Sequence, residues 1–471
     1  MNTSASAQSS TSAQCASTAA EQATPKRPYF KRPPLVSGDP LLGSVRPMLS
    51  NPLVFLQQAY QHHGDVFRFK VPGKEFTVLG GINANRFVAG EGRHCFSVDG
   101  FWGEAGRHME CPHMVTMVDG DMHRYQRALM GPALAQQAFK HSIVHMADNV
   151  ESLLRKRAQG TPLAVGGLMR QLLSNQLSDL LLGRKASYRN VEAMIYYFSA
   201  VTKVFALGSW PRFMLGTPKV KWAQWVTNRE LQDTLQQARV RMAAAPDQGL
   251  YLDRVLPALD ARPDWFADGD KLAHVLLPYV AALDTVAATK GFMLYQLLRD
   301  PALYNRVRQE VDACFAKGVP DLQGLRELSN LNGFYRETMR LYPAAFGIPR
   351  TAAQDFEYQG YSIKQGDKVL VFTTADHLNP KYFPNPTVFD IERYQSPRDE
   401  HRQAAYAPFG KGPHNCLGAS LSELILPLHM GLLLYLTEVE PACDLDKVRM
   451  TFNPAPVLSK NFKVRLRWRR S

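Results

Sequence analysis

The sequence predicts a mainly α-helical protein with small β-sheets at its edges, on three observations. From about Asp119 to Met339 most windows repeat their apolar residues at helical spacing. Segments that alternate apolar and polar residues, as half-buried strands do, are confined to residues 66–79, to 356–372 and to the C-terminus. No fixed-period repeat and no low-complexity linker divides residues 44–471. Residues 29–471 therefore read as a single large domain with a β-rich edge region, and residues 1–28 as a disordered N-terminal tail.

The tail follows from its composition. Met1–Thr24 is dominated by Ser, Thr, Ala and Gln, has no aromatic residue and only Glu21 charged, so it cannot bury enough surface to offset the entropy of ordering. It shows neither the basic start and apolar centre of a secretory signal nor the early arginines of a mitochondrial one. Pro33, Pro34 and Pro40 then stiffen the lead-in to the folded part. Val66–Val71 and Phe76–Leu79 flank Pro72-Gly73 and predict a β-hairpin. Helices are predicted over Val150–Leu182, Asn190–Ala206, Leu272–Phe315 and Ala419–Leu436. Strands return at Phe356–Tyr358, Gly360–Ile363 and Lys368–Phe372. The last is at Phe462–Trp468, where Phe462, Val464, Leu466 and Trp468 alternate with basic residues.

Composition excludes several classes. Among 471 residues, 45% are hydrophobic and 21% charged, which is globular and rules out a fibrous or wholly disordered chain. The net charge of +13 favours acidic partners, but the basic residues are spread along the chain and no nucleic-acid motif accompanies them, so no nucleic acid is expected. Cys15, Cys95, Cys111, Cys314, Cys416 and Cys443 include no Cys-x-x-Cys pair, which fits free thiols in a reducing compartment. The most apolar stretches, Leu424–Leu436 and His274–Leu298, are interrupted by Pro427 and His429 and by Asp284 and Lys290, so no transmembrane segment is expected. A soluble, cytoplasmic protein is the expectation.

The sharpest local feature is Phe409-Gly410-Lys411-Gly412-Pro413-His414-Asn415-Cys416-Leu417-Gly418, directly before the Ala419–Leu436 helix. Glycines let backbone amides approach a sulfur, while a helix start with Lys411 and His414 nearby favours a thiolate, the form that ligates a metal. Phe409, Gly412, Cys416 and Gly418 resemble the cysteine-ligand loop of the cytochrome P450 family, Phe-x-x-Gly-x-x-x-Cys-x-Gly. From the residue counts of this chain, such a match arises by chance on the order of once in a thousand.

Other segments continue the resemblance in chain order. Glu337-Thr338-Met339-Arg340 is similar to the family's Glu-x-x-Arg, a spacing that by itself is commonly a surface pair. Arg393, in Phe389–Tyr394, resembles the third member of the charge cluster that Glu337 and Arg340 would join, with a structural role. Ala281-Ala282-Leu283-Asp284-Thr285 resembles the acid-alcohol motif, with Ala282 where the family more often has Gly. It implies Thr285 as the hydrogen-bonding group beside oxygen and Asp284 as the proton relay. Taken alone, the pair reads as a Thr bonded to its own helix and a solvent-facing Asp. For two haem propionates the resemblance implies Arg127 with His123 one turn earlier, Arg350, and His414 inside the cysteine loop.

The family thus implies a haem-thiolate monooxygenase holding haem b through Cys416, with O₂ as co-substrate, that hydroxylates or otherwise oxidises an apolar small molecule. Placed by resemblance, the pocket residues are Phe101 and Trp102 in the loop before His123, Val280 and Ala281, Phe346 and Ile348, and Leu458. With no flavin or iron-sulfur segment in the sequence, electrons are expected from a ferredoxin or flavodoxin with its reductase, docking near Arg124, Arg402 and Lys411. The alternatives are a peroxygenase or isomerase on the same fold, or a non-catalytic haem-binding sensor.

Overall fold

The computed structural model describes residues 31–185, 187–245, 249–452 and 455–469, with the backbone alone at Leu276. The tail expected over 1–28 lies outside the described residues. The architecture is mostly helical with small sheets, as the periodicity predicts.

The hairpin forms where Pro72-Gly73 joins Val66–Val71 to Lys74–Gly80, with Gly73 supplying the positive φ of +73° that the two-residue turn needs. Phe67 and Phe69 point into an apolar cluster while Arg68 and Lys70 point away. The second strand then pairs in parallel with Lys368–Phe372, whose other neighbour, Ile348–Ala352, carries Arg350. Phe96–Ser97 completes the five-stranded sheet. The C-terminal strand Lys463–Trp468 lies between Leu163–Ala164 and Thr437–Pro441, with Val464 and Leu466 buried.

Three sequence expectations change. The helix expected over Val150–Leu182 is broken at Gly160–Pro162, where the chain joins the C-terminal sheet before the helix Val165–Leu177 begins. The helix expected over Leu272–Phe315 stops at Asp300, which caps the next one by accepting from the Leu303 amide ahead of Pro301. Phe101 and Trp102 lie on a helix, Asp99–His108, and not in a loop. Gly100, Gly103 and Gly106 weaken that helix in isolation by roughly 1 kcal/mol each. Packing requires two of them: a Cβ at Gly106 would collide with Met117 Sδ, and one at Gly100 would stand 2.5 Å from Thr351 Oγ1.

The main core gathers the helices Asp268–Arg299 and Ala419–Leu436 with their neighbours. Both are long and apolar enough to cross a membrane, yet 59% and 78% of their apolar windows are buried inside the protein, the pattern of core helices. Lys290 and His429, one on each, are buried together: Nζ lies 3.1 Å from His429 Nδ1 and donates to the Met169 carbonyl at 3.2 Å. Burial pushes the lysine from 10.5 down to about 7 and His429 well below its ordinary value.

Between about pH 7 and 10.5 the unfolded chain therefore holds a proton on Lys290 that the folded chain has released. Stability rises with pH through that window, and the full penalty is present below it. Replacing the pair by Lys290→Met with His429→Leu is expected to stabilise the protein near neutral pH by about 1–4 kcal/mol, with the gain shrinking as pH rises. Urea unfolding of parent and double variant at neutral and alkaline pH checks this. A double variant no more stable at neutral pH would rule out a costly buried lysine.

Candidate active site

The loop Phe409–Gly418 presents a single sulfur. Gly410 and Gly412 adopt φ of +74° and +85°, and a Cβ at Gly412 would stand 2.8 Å from the Val88 carbonyl oxygen, so only glycine lets the loop lie flush on the helix Gly81–Ala89. The Cys416 amide closes the loop by donating to the Phe409 carbonyl at 2.9 Å. Cys416 is exposed to solvent, yet enough protein surrounds its sulfur to disfavour the charged thiolate. Burial pushes its thiol up, opposed by the amides of Gly418 and Ala419 and by Arg127.

Four basic side chains converge near this sulfur. Arg127 donates to the carbonyl and to the side-chain oxygen of Asn415, both at 2.6 Å, which ties the helix Gly120–Ala133 to the cysteine loop. His123, on the same helix, stacks on His414 with ring centroids 3.8 Å apart, and its buried Nε2 has no hydrogen-bond partner. Burial, with the arginines Arg127 and Arg350 and the His414 ring nearby, holds His123 neutral, near pKa 3. His414 Nε2 lies 2.8 Å from Asp119, whose carboxylate also accepts from Ser97 Oγ and the Val98 amide. Arg350 is 6% exposed and donates only to the Pro349 carbonyl; among the described residues no carboxylate is within ion-pair distance. Burial lowers it to about 10. His414 and Arg127 are thus committed to protein partners, while His123 and Arg350 are left short of one.

Asp284 and Thr285 lie on the helix Asp268–Arg299, near the accessible Ala281. Thr285 Oγ1 donates to the Ala281 carbonyl at 2.9 Å, a bond within its own helix. Asp284 is not solvent-facing. It is half-buried with Oδ1 4.0 Å from Arg170, which in turn holds Glu192 at 3.0 Å. Burial raises the Asp284 carboxyl, Arg170 opposes the rise and Glu192 adds to it.

Glu337, Arg340 and Arg393 form one buried cluster. Arg340 grips Glu337 with two bonds of 2.6 and 2.7 Å, Arg393 reaches the same carboxylate at 3.2 Å, and Tyr394 Oη donates to it at 2.7 Å. Glu337 and both arginine side chains are 0% exposed. Arg340 also donates to the His377 carbonyl, and His377 Nε2 accepts from the Ala407 amide two residues before Phe409. The cluster therefore anchors the chain just ahead of the cysteine loop.

The pocket residues are spread around these elements. Ile348 packs against Gly410 of the loop, and the helix of Phe101 and Trp102 packs on the strand Ile348–Ala352. Phe346 joins the apolar cluster of Leu370 and Phe372. Leu458 lies on a short strand against the Thr285 helix. Val280 faces the main core, one helical step from Ala281. A surface groove of about 540 Å³ bordered by Arg86, Glu91 and Glu357 contains none of these residues.

Sequence reading missed Asp119, Asn415, Arg170 and Glu192. Asn415 sits inside the motif and was legible as a neighbour. Arg170 and Glu192 reach Asp284 only through helix packing, which no local spacing signals.

The chain is similar to several known proteins. The family model described as cytochrome P450 matches residues 33–466. A cyclooctat-9-en-7-ol 5-monooxygenase of Streptomyces melanosporofaciens is 26% identical over 396 residues, covering 81% of this chain and 84% of that protein. A sterol 14alpha-demethylase of Mycolicibacterium vanbaalenii is 33% identical over 189 residues, 39% of this chain and 42% of the other. The solved structure of retinoic acid bound cyanobacterial CYP120A1 superposes with a TM-score of 0.80 at 22% identity, over 93% of this chain and all of that one.

Proposed function

Because the chain belongs to the cytochrome P450 family, whose members are haem-dependent oxidoreductases, we propose that it is a monooxygenase that inserts one atom of O₂ into a C–H bond of an apolar small molecule. The observation that carries this is the exposed Cys416 beside Arg350, a buried arginine with no carboxylate partner among the described residues, and His123, a buried imidazole whose Nε2 has no hydrogen-bond partner. That donor set fits haem b. Cys416 would ligate the metal as thiolate, Arg350 and His123 would hold the two carboxylates, and Arg127 would brace the loop through Asn415. When bound, haem supplies the dioxygen chemistry.

The remaining tasks fall to the protein. Ile348, Phe346, Ala281 and the Phe101–Trp102 helix would hold an apolar substrate and exclude water. Asp284, with its raised proton affinity, would take up a proton from solvent while Arg170 holds its carboxyl in place, and Thr285 would pass the proton on by exchanging its own-helix bond. Electrons would come from a ferredoxin or flavodoxin. Arg124 and Arg402 each have a local aspartate partner, Asp121 and Asp399, which leaves Lys411 as the less encumbered docking cation.

Asp284→Asn is expected to slow partner-driven turnover by roughly 100-fold, the low end of what a positioned proton-transfer group contributes, while turnover driven by hydrogen peroxide persists. Product yield and peroxide release measured side by side test it. Equal loss in both reactions would remove the relay role, and turnover by peroxide alone in the parent would favour a peroxygenase.

A further inference from the structure

The groove of about 540 Å³ lies between the helix Gly81–Ala89, which supplies Asn83, Arg86 and Phe87, and the hairpin of Phe356–Tyr358 and Tyr361–Ile363, which supplies Glu357, Tyr358 and Gln359. Its aromatic wall is formed by Phe87 and Tyr358, with ring centroids 4.8 Å apart, and Phe356 stands 5.9 Å from Phe87. Three carboxylates border it. Glu91 and Glu357 line it and are exposed. Asp65 joins them through two lining residues, accepting from Asn83 Nδ2 at 3.3 Å and from Gln359 Nε2 at 3.1 Å. Burial raises the Tyr358 phenol, and the charges of Asp65 and Glu91 add to the rise. Among the described residues none of the three carboxylates has a cation within ion-pair distance, and Arg86 is the one cation of the lining. In a chain of net charge +13, such a groove is the exception.

The chain itself carries the complement. Lys31 forms a parallel bridge with Tyr361, and its carbonyl accepts from the Ser362 amide at 3.2 Å. A parallel bridge gives both segments one direction, so the chain approaches Lys31 from the side of Gly360 and Gln359, where the groove lies. The residues before Lys31 are Pro25-Lys26-Arg27-Pro28-Tyr29-Phe30, and Lys26 and Arg27 are the only cations of the first 30. Lys26 is five residues from Lys31, a reach of up to about 17 Å when extended. Segments with prolines three apart dock on aromatic-lined grooves because their fixed φ lowers the entropy lost on ordering. Here the two residues between the prolines are the cations that the groove lacks.

We propose that this groove holds the chain's own segment Pro25–Phe30, with the prolines on the Phe87–Tyr358 wall and Lys26 and Arg27 against Glu91, Glu357 and Asp65. The folded part then begins at Pro25. A tethered segment meets the groove at an effective concentration of about millimolar, which favours it over the tail of a second copy. Docking braces the helix Gly81–Ala89, whose Val88 carbonyl faces Gly412 of the cysteine loop. The groove includes none of the residues proposed to hold haem or substrate and stands whether or not the proposed oxidation does.

The test is chymotrypsin cleavage of the full chain after Tyr29 and Phe30, with the released N-terminal fragment quantified by mass spectrometry. Glu91→Lys with Glu357→Lys is expected to speed cleavage roughly tenfold, and so is Lys26→Glu with Arg27→Glu, because each pair replaces attraction between surface charges by repulsion. Combining all four substitutions restores the charge match and should return cleavage to near the parent rate. Parent-like circular dichroism would show the groove pair to be folded, and the Lys26–Arg27 pair, outside the described residues, decides the matter if it is not. Equal cleavage of the parent and the charge-reversed variants overturns the proposal, as does an acceleration that the fourfold variant fails to reverse. Protection of the parent that fades on dilution also overturns it and assigns the groove to the tail of a second copy.

Discussion

Cys416→Ala is expected to abolish the strongly red-shifted Soret band of the dithionite-reduced, carbon monoxide-treated protein, and with it all turnover. The sulfur belongs to the only cysteine of the glycine-rich loop Phe409–Gly418. Gly410 and Gly412 shape the loop, the amides of Gly418 and Ala419 aim at the sulfur, and Arg127 supports its negative charge. No other side chain at that position offers a thiolate. Because burial holds the free thiol above its ordinary value of 9.0, ligation at neutral pH must release a proton. Haem affinity of the apo-protein should therefore rise with pH by up to about tenfold per unit until the thiol pKa is reached. A red-shifted band that survives in Cys416→Ala would place the ligand elsewhere. Uptake independent of pH would mean that the thiol is already ionised.

Glu337→Gln is expected to cost most of the protein's stability. Its carboxylate serves two arginines and a tyrosine at a site with no solvent access, and the substitution leaves Arg340 buried without an anion, whereas Arg393 keeps Glu400 at 3.1 Å. Removing one partner of a buried ion pair costs about 3–5 kcal/mol. A folded domain has only about 5–15 kcal/mol in hand. Since the same cluster reaches Ala407 through His377, the loss should also loosen the cysteine loop. The expected result is a large drop in the urea midpoint with poor haem retention. Arg393→Met, which leaves the Glu337–Arg340 pair in place, should lose less. A parent-like midpoint for Glu337→Gln would show the cluster to be dispensable.

The legible part of the site was local. The cysteine loop could be read because its chemistry needs particular residue types at adjacent positions, and the hairpin because Pro72-Gly73 and alternation act within a dozen residues. Glu337 and Arg340 were legible as a pair, but their burial was not, since the same spacing on a solvent-facing helix is an ordinary surface pair. The helix of Phe101 and Trp102, expected as a loop from the family resemblance, contains Gly100, Gly103 and Gly106, which lower its intrinsic propensity. The reason for glycine at Gly106 and Gly100 lies across the fold, in Met117 and Thr351.

By itself the sequence determined the helical class, the first hairpin and the strands Lys368–Phe372 and Lys463–Trp468, and it singled out Cys416 as the candidate ligand, because periodicity, turn chemistry and motif spacing are short-range properties of the chain. Phe96–Ser97, Leu163–Ala164 and Thr437–Pro441, in contrast, became strands only through their partners. Tertiary structure alone decided which charges meet. Asp119 beside His414, Arg170 beside Asp284 and Lys290 beside His429 join residues from 114 to 295 positions apart. Burial together with these partners then set their proton affinities, and both are properties of the packed molecule that no stretch of sequence carries.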